Sequence, residues 1–109
     1  MKKSEISKAE IDSVITLFSN GDLDKALTNA NKLIKSFPEN SLLHNIVGAC
    51  YAGLGQLDSA VKSYEKAIKI DPNYAKAYFN LGATLQELNQ TNKSIESYEQ
   101  SIVIDPNFA

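Results

Sequence analysis

The sequence predicts an all-α solenoid: three helix–turn–helix units, six helices, one domain. Three observations predict it. Pro38, Pro72 and Pro106 recur at intervals of 34 residues. Other residues keep the same period: Gly21 with Gly55, Ala26 with Ala60, Gly48 with Gly82, Tyr64 with Tyr98. Between these marks apolar residues recur at helical spacing, and no stretch alternates with the period of two that a strand needs. A fixed period of this length marks an array whose units cannot bury their apolar faces alone and stack to form a core.

Aligned on the prolines, the units are 7–40, 41–74 and 75–108, and the helices span about 7–20, 24–36, 41–54, 58–70, 75–88 and 92–104. The first helix ends at Gly21, and the second carries Ala26 and stops before Pro38. The third has Leu42, Leu43, Ile46, Val47, Cys50, Tyr51 and Leu54 at 3–4 spacing. "LGQLDSA" then interrupts: Gly55 suits the left-handed conformation that ends a helix, and Asp58 is the expected N-cap of the next. The fourth shows Ala60, Val61, Tyr64, Ala67, Ile68 and Ile70 before Asp71-Pro72 breaks it, because proline disfavours helix at the residue before it and lacks an N–H. The fifth carries Gly82. Asn89 stands in the column of Gly55, and asparagine tolerates the left-handed turn. The sixth bears Ile95, Tyr98, Ile102 and Ile104 up to Asp105-Pro106. Gly48 and Gly82 are expected to let a neighbouring helix approach closely, with Tyr51, Tyr64, Tyr78 and Tyr98 filling the space.

Composition narrows the function. The net charge is −2 and all eleven cations are lysines, which gives no clustered basic footprint for nucleic acid. A single cysteine, Cys50, excludes an intramolecular disulfide and offers no metal pair. The N-terminus lacks the apolar run of a secretory signal, and no stretch approaches the roughly 18 apolar residues of a membrane helix. These features predict a cytoplasmic chain with no membrane contact.

The columns resemble the tetratricopeptide repeat, W-x2-L-G-x2-Y then A-x3-F then P over 34 residues. The second unit reads His44-x2-Val47-Gly48-x2-Tyr51, Ala60-x3-Tyr64, Pro72. The third reads Tyr78-x2-Leu81-Gly82-x2-Leu85, Ser94-x3-Tyr98, Pro106. The first departs most: Ser13 stands where an apolar residue is usual, which fits an end-facing position. The resemblance covers nearly the whole chain and implies a right-handed solenoid whose first helices line a concave groove for an extended peptide.

Carried over by position, that groove comprises Lys8, Ile11, Ile15 and Phe18 in the first unit, Leu42, Asn45, Ala49 and Ala52 in the second, and Lys76, Phe79, Asn80, Ala83, Gln86 and Glu87 in the third. Asn45 and Asn80 are expected to bond a peptide backbone as donor and acceptor. Relatives that clamp a terminal carboxylate use Lys, Asn and Arg at positions that here hold Ile11, Ile15, Ala49, Phe79 and Ala83, so that clamp is not expected. Two readings of Ile11, Ile15 and Phe18 stay open: core packing of a shifted first helix, or an exposed apolar patch that binds a partner.

His44 occupies the family's large-aromatic position and reads as a packing residue. No second His or Cys stands at ligand spacing, so no metal or cofactor is expected. Cys50 reads as a small buried hydrophobe. No Gly-rich phosphate loop or nucleophile–base set is present, so the chain is expected not to be an enzyme. The leading function is a scaffold for a protein or peptide. The alternative is an N-terminal oligomerisation or substrate-presenting segment of a larger enzyme, similar to bacterial arrays that precede glycosyltransferase or sulfotransferase domains. The terminal "DPNFA" matches the start of the preceding junction, which suggests a fragment of a longer array. Its last helix would then carry an unfinished face of Ile95, Tyr98 and Ile102 and pair end to end with another copy.

Overall fold

A computed structural model describes residues 5–107 and, among them, six helices and no strand. They are α1 (Lys8–Ser19), α2 (Leu23–Ser36), α3 (Ser41–Gly53), α4 (Leu57–Ile70), α5 (Ala75–Glu87) and α6 (Thr91–Ile104). Every helix packs against the next in the chain, and α3 also meets α5. The stack measures 45 × 26 × 21 Å. Phe108 and Ala109, which align with the start of a further junction, lie outside the described residues.

The three turns inside the units have one geometry. At the end of α3 the Gly55 N–H donates to the Ala52 carbonyl and the Gln56 N–H to that of Tyr51. The same two bonds close α1 at Gly21 and Asp22, and α5 at Asn89 and Gln90. This is the Schellman arrangement, which satisfies the last carbonyls and requires a positive φ. Gly21, Gly55 and Asn89 have φ of 83°, 79° and 62°. The expected N-cap at Asp58 is corrected. Helix α4 begins one residue earlier, Gln56 takes the cap position, and Asp58 lies in the first turn, where its carboxylate faces the positive end of the helix dipole.

The junctions between units differ. Ser7 and Glu10 form a reciprocal capping box at the start of α1. Asn40 caps α3 by accepting from the Leu43 N–H at 3.0 Å. The Asp71 and Asp105 carboxylates each accept from the N–H two residues on, at 3.1 Å. His44 is half-buried, and its Nε2–H donates to the Pro38 carbonyl at 2.9 Å. The imidazole thus ties the first junction down while filling its aromatic slot.

One core cluster joins Val14, Ala26, Ala30, Ile46, Val47 and Cys50, with Leu17, Leu27, Leu33, Ile34 and Tyr51 packed against it. A second joins Ala60, Tyr64, Leu81 and Leu85, with Tyr51, Ala52, Val61 and Ile68 around it. Tyr51 bridges the two. Helix α1 faces the core through Val14 and Leu17, which leaves Ile15 and Phe18 exposed. Cys50 is fully buried, and burial pushes its thiol up from the usual range.

Glycine sets the helix spacing. A Cβ on Gly48 would lie 2.6 Å from the Tyr64 ring, and one on Gly82 2.9 Å from that of Tyr98. Of the four tyrosines expected to fill space, Tyr64 and Tyr98 sit over the glycines. Inside α6 the inward face is serine. Ser94 Oγ donates to the Gly82 carbonyl at 2.8 Å and Ser101 Oγ to the Tyr98 carbonyl at 2.7 Å, so the buried hydroxyls are satisfied.

The close approach makes a direct prediction. Gly48→Val drives a branched side chain into the Tyr64 ring. It should destabilise the fold by about 2–3 kcal/mol in urea unfolding, and an unchanged midpoint would show that the α3–α4 spacing is slack.

Candidate functional site

The first helix of each unit lies toward one side of the stack, and between α1, α3 and the start of α5 a cleft of about 390 Å³ opens. Its lining comes from Ile15, Phe18 and Ser19 on α1, from Leu42, Asn45, Ile46 and Ala49 on α3, and from Tyr74, Lys76 and Asn80. Helical spacing explains the apolar wall. Ile15 and Phe18 are three residues apart and form a stripe on α1 beside Val14, and Leu42, Ile46 and Ala49 make a stripe along α3. Ile15, Phe18 and Leu42 expose 40%, 37% and 37% of their surface, so the wall is open to a ligand.

The floor is polar and internally bonded. Asn80 Nδ2 donates to Asn45 Oδ1 at 3.2 Å. Burial pushes the Tyr74 phenol up, and the neighbouring Asn45 side chain partly offsets that push. Asn45 is only 5% exposed. The two amides expected to hold a peptide backbone are therefore bonded to each other, and Asn80 is the more accessible of the pair. Lys76 stands exposed at the rim, the one charged side chain among the described lining residues.

Seven of the fourteen groove positions read from the sequence meet in this cleft: Ile15, Phe18, Leu42, Asn45, Ala49, Lys76 and Asn80. Lys8, Ile11, Ala52, Phe79, Ala83, Gln86 and Glu87 lie outside it. The Lys8 ammonium sits 3.4 Å from the Asp12 carboxylate on α1. The Phe79 ring packs on Tyr98, centroids 5.3 Å apart and tilted by 56°, and the Tyr98 hydroxyl donates to the side-chain carbonyl of Gln86. Ser19, Ile46 and Tyr74 line the cleft without having been singled out. The usable signal was spacing: Asn45 and Asn80 are 35 residues apart, one off the repeat period, so they occupy neighbouring columns that adjacent helices bring together.

The three residues expected to form an uncovered face on α6 are placed differently. Ile95 and Ile102 are 49% and 53% exposed, and Val103 beside them is 73% exposed. Tyr98 is instead half-buried against Gly82 and belongs to the α5–α6 seam. Among the described residues no group of three His, Cys, Asp or Glu side chains could hold a metal ion, and no helix is long and apolar enough to cross a membrane.

A tetratricopeptide repeat profile matches residues 75–108, and a TPR repeat profile matches residues 48–89. No curated protein matches in sequence. Among solved structures, the first TPR of Spaghetti (RPAP3) bound to the HSP90 peptide SRMEEVD superposes with a TM-score of 0.90 at 23% identity, over 96% of this chain and 83% of that one. The Sgt2 TPR domain from Aspergillus fumigatus gives 0.89 at 21%, over 98% and 73%. MamA gives 0.86 at 24% over 91% of this chain, which spans 58% of the MamA chain. At these identities the likeness is one of fold.

The Asn45–Asn80 bond is testable as a coupling. Asn80→Ala leaves a buried amide oxygen short of its donor and should destabilise the fold by about 1–2 kcal/mol, while the double Asn45→Leu, Asn80→Ala variant recovers most of that loss. Strictly additive losses in chemical denaturation would contradict the pairing.

Proposed function

The chain belongs to the tetratricopeptide repeat family, and on that premise we propose that it is a non-catalytic scaffold holding an extended segment of another protein against its concave side. The observation that carries this reading is the cleft. Bulky apolar side chains at Ile15, Phe18 and Leu42 stand exposed around a cavity, where an isolated chain would bury them. The RPAP3 repeats, similar in fold, were captured with a peptide bound, which supports the same use here. Ala49→Arg places a long charged side chain in the cleft and leaves the core untouched. It should abolish binding of peptides selected on the wild-type chain while the thermal transition stays in place. Retained binding would argue against the groove.

A second reading, self-association through α6, rests on the repeat columns. Leu27 and Ile34 on α2 pack against the cluster that α3 completes, and Val61 and Ile68 on α4 against the one that α5 completes. Ile95 and Ile102 are the same two positions one unit later, and they are exposed. The opposite end of the stack is different. There α1 exposes Ala9, Asp12, Ser13 and Thr16 in the columns that α3 fills with Leu43, Ile46, Val47 and Cys50. Head-to-tail stacking would press the Asp12 carboxylate, with its Lys8 partner, onto Ile95 and Ile102, and stripping water from that pair against isoleucine is unfavourable. Pairing is therefore α6 to α6 and closes at two chains. One helix face offers less than the roughly 1,200–2,000 Å² of a stable interface, so the dimer is weak. Sedimentation at rising concentration should approach the mass of two chains and stop, and Ile102→Glu should remain monomeric. Open-ended growth, or a wild-type monomer at every concentration, would contradict it.

A further inference from the structure

The cleft also restricts what it can hold, an inference that rests on the groove reading above. Its volume of about 390 Å³ lies within the roughly 300–1,000 Å³ typical of ligand sites, room for a large side chain. The walls from Ile15, Phe18, Leu42, Ile46 and Ala49 offer dispersion and desolvation but no hydrogen bonds. The floor offers little to new polar partners at Asn45, which is buried and whose Oδ1 already accepts from Asn80. Among the described lining residues only Lys76, at the rim, brings a charge, and none is a carboxylate.

We propose that the cleft recognises an internal peptide segment through one bulky uncharged side chain, with a carboxylate one or two residues away placed against Lys76. The tail carried by the RPAP3 complexes has other chemistry. SRMEEVD ends in a cluster of carboxylates. Seating that cluster here would strip water from several anions against an aliphatic wall with a single ammonium to answer them, and uncompensated burial of charge is costly. The apolar segment instead matches wall to side chain and leaves its acidic neighbour at the wet rim, where Lys76 supplies orientation and preference more than affinity.

The test is selection of a displayed library of random linear peptides on the full chain, with synthetic SRMEEVD measured beside it. Selected sequences should share a Leu, Ile, Met or Phe with Asp or Glu within two residues, and should bind at least about tenfold more tightly than SRMEEVD. Lys76→Glu should turn the preference at the flanking position to Lys or Arg while keeping the apolar residue. Leu42→Ser should weaken the selected peptides with little change in thermal stability, since Leu42 is a partly exposed wall residue. Enrichment of acidic C-terminal tails, or a profile indifferent to Lys76→Glu, would overturn this specificity while leaving the groove reading intact. Failure to select any peptide that Ala49→Arg displaces would remove the groove reading and this inference with it.

Discussion

A two-helix unit of this size leaves one flank bare, and the rest of the molecule follows from the need to cover it. The second helix of each unit presents two apolar residues seven apart: Leu27 and Ile34, Val61 and Ile68, Ile95 and Ile102. In the first two units the next first helix lies over them and completes the core. Covering requires close approach within the units as well: Gly48 beneath Tyr64 and Gly82 beneath Tyr98 provide it in the second and third, while Val14 and Ala30 take those columns in the first. Because each unit ends its first helix in the same Schellman turn, the first helices gather along one side. A concave surface is the consequence of that stacking, with no need for separate encoding.

The two ends of the stack are chemically unequal. At the start, the serine, threonine and aspartate of α1 meet solvent, and a shallow recess of about 370 Å³ there is lined in part by Glu10, Ser13, Asn29 and Lys32. At the other end α6 shows isoleucine. Its inner face uses Ser94 and Ser101 where α4 uses Ala60 and Ala67, and each hydroxyl bonds a helix carbonyl. The last unit is therefore built on small polar contacts as well as apolar ones, and its outer surface is the least protected part of the array. The cleft lies at the other end of the concave side, between α1 and α5, so a bound segment and a partner on α6 would occupy separate surfaces.

The periodic features were readable in the sequence because a repeat prints its packing three times. Helix limits agreed within about one residue, as with 41–54 against Ser41–Gly53, since glycine, asparagine and proline mark the ends by backbone chemistry. The left-handed turn at Asn89 followed from its column alone. Asp58 misled because an acidic residue suits both an N-cap and the first helical turn, and only the backbone distinguishes them. The register of α1 was not decidable from a degenerate unit: Ile11, Val14, Ile15, Leu17 and Phe18 allow more than one inward stripe, and packing selects Val14 with Leu17. The Asn45–Asn80 bond was harder to read for a different reason: its members sit in neighbouring columns of the aligned units, and only their spacing of 35 residues points to the pairing. Tyr98 was read as outward because it shares a helical stripe with Ile95 and Ile102, and it turns inward because Gly82 leaves room for its ring.

Nearest-neighbour stacking with an exposed apolar face on α6 is most directly tested by native-state hydrogen exchange, read helix by helix in the isolated chain. The slowest amides should lie in α3 and α4, which are covered on both sides. Protection should fall toward α1 and α6, with α6 opening at lower free energy than α4 despite its equivalent place in the repeat. Exchange of all six helices through one common global opening, with α6 as protected as α4, would contradict the account.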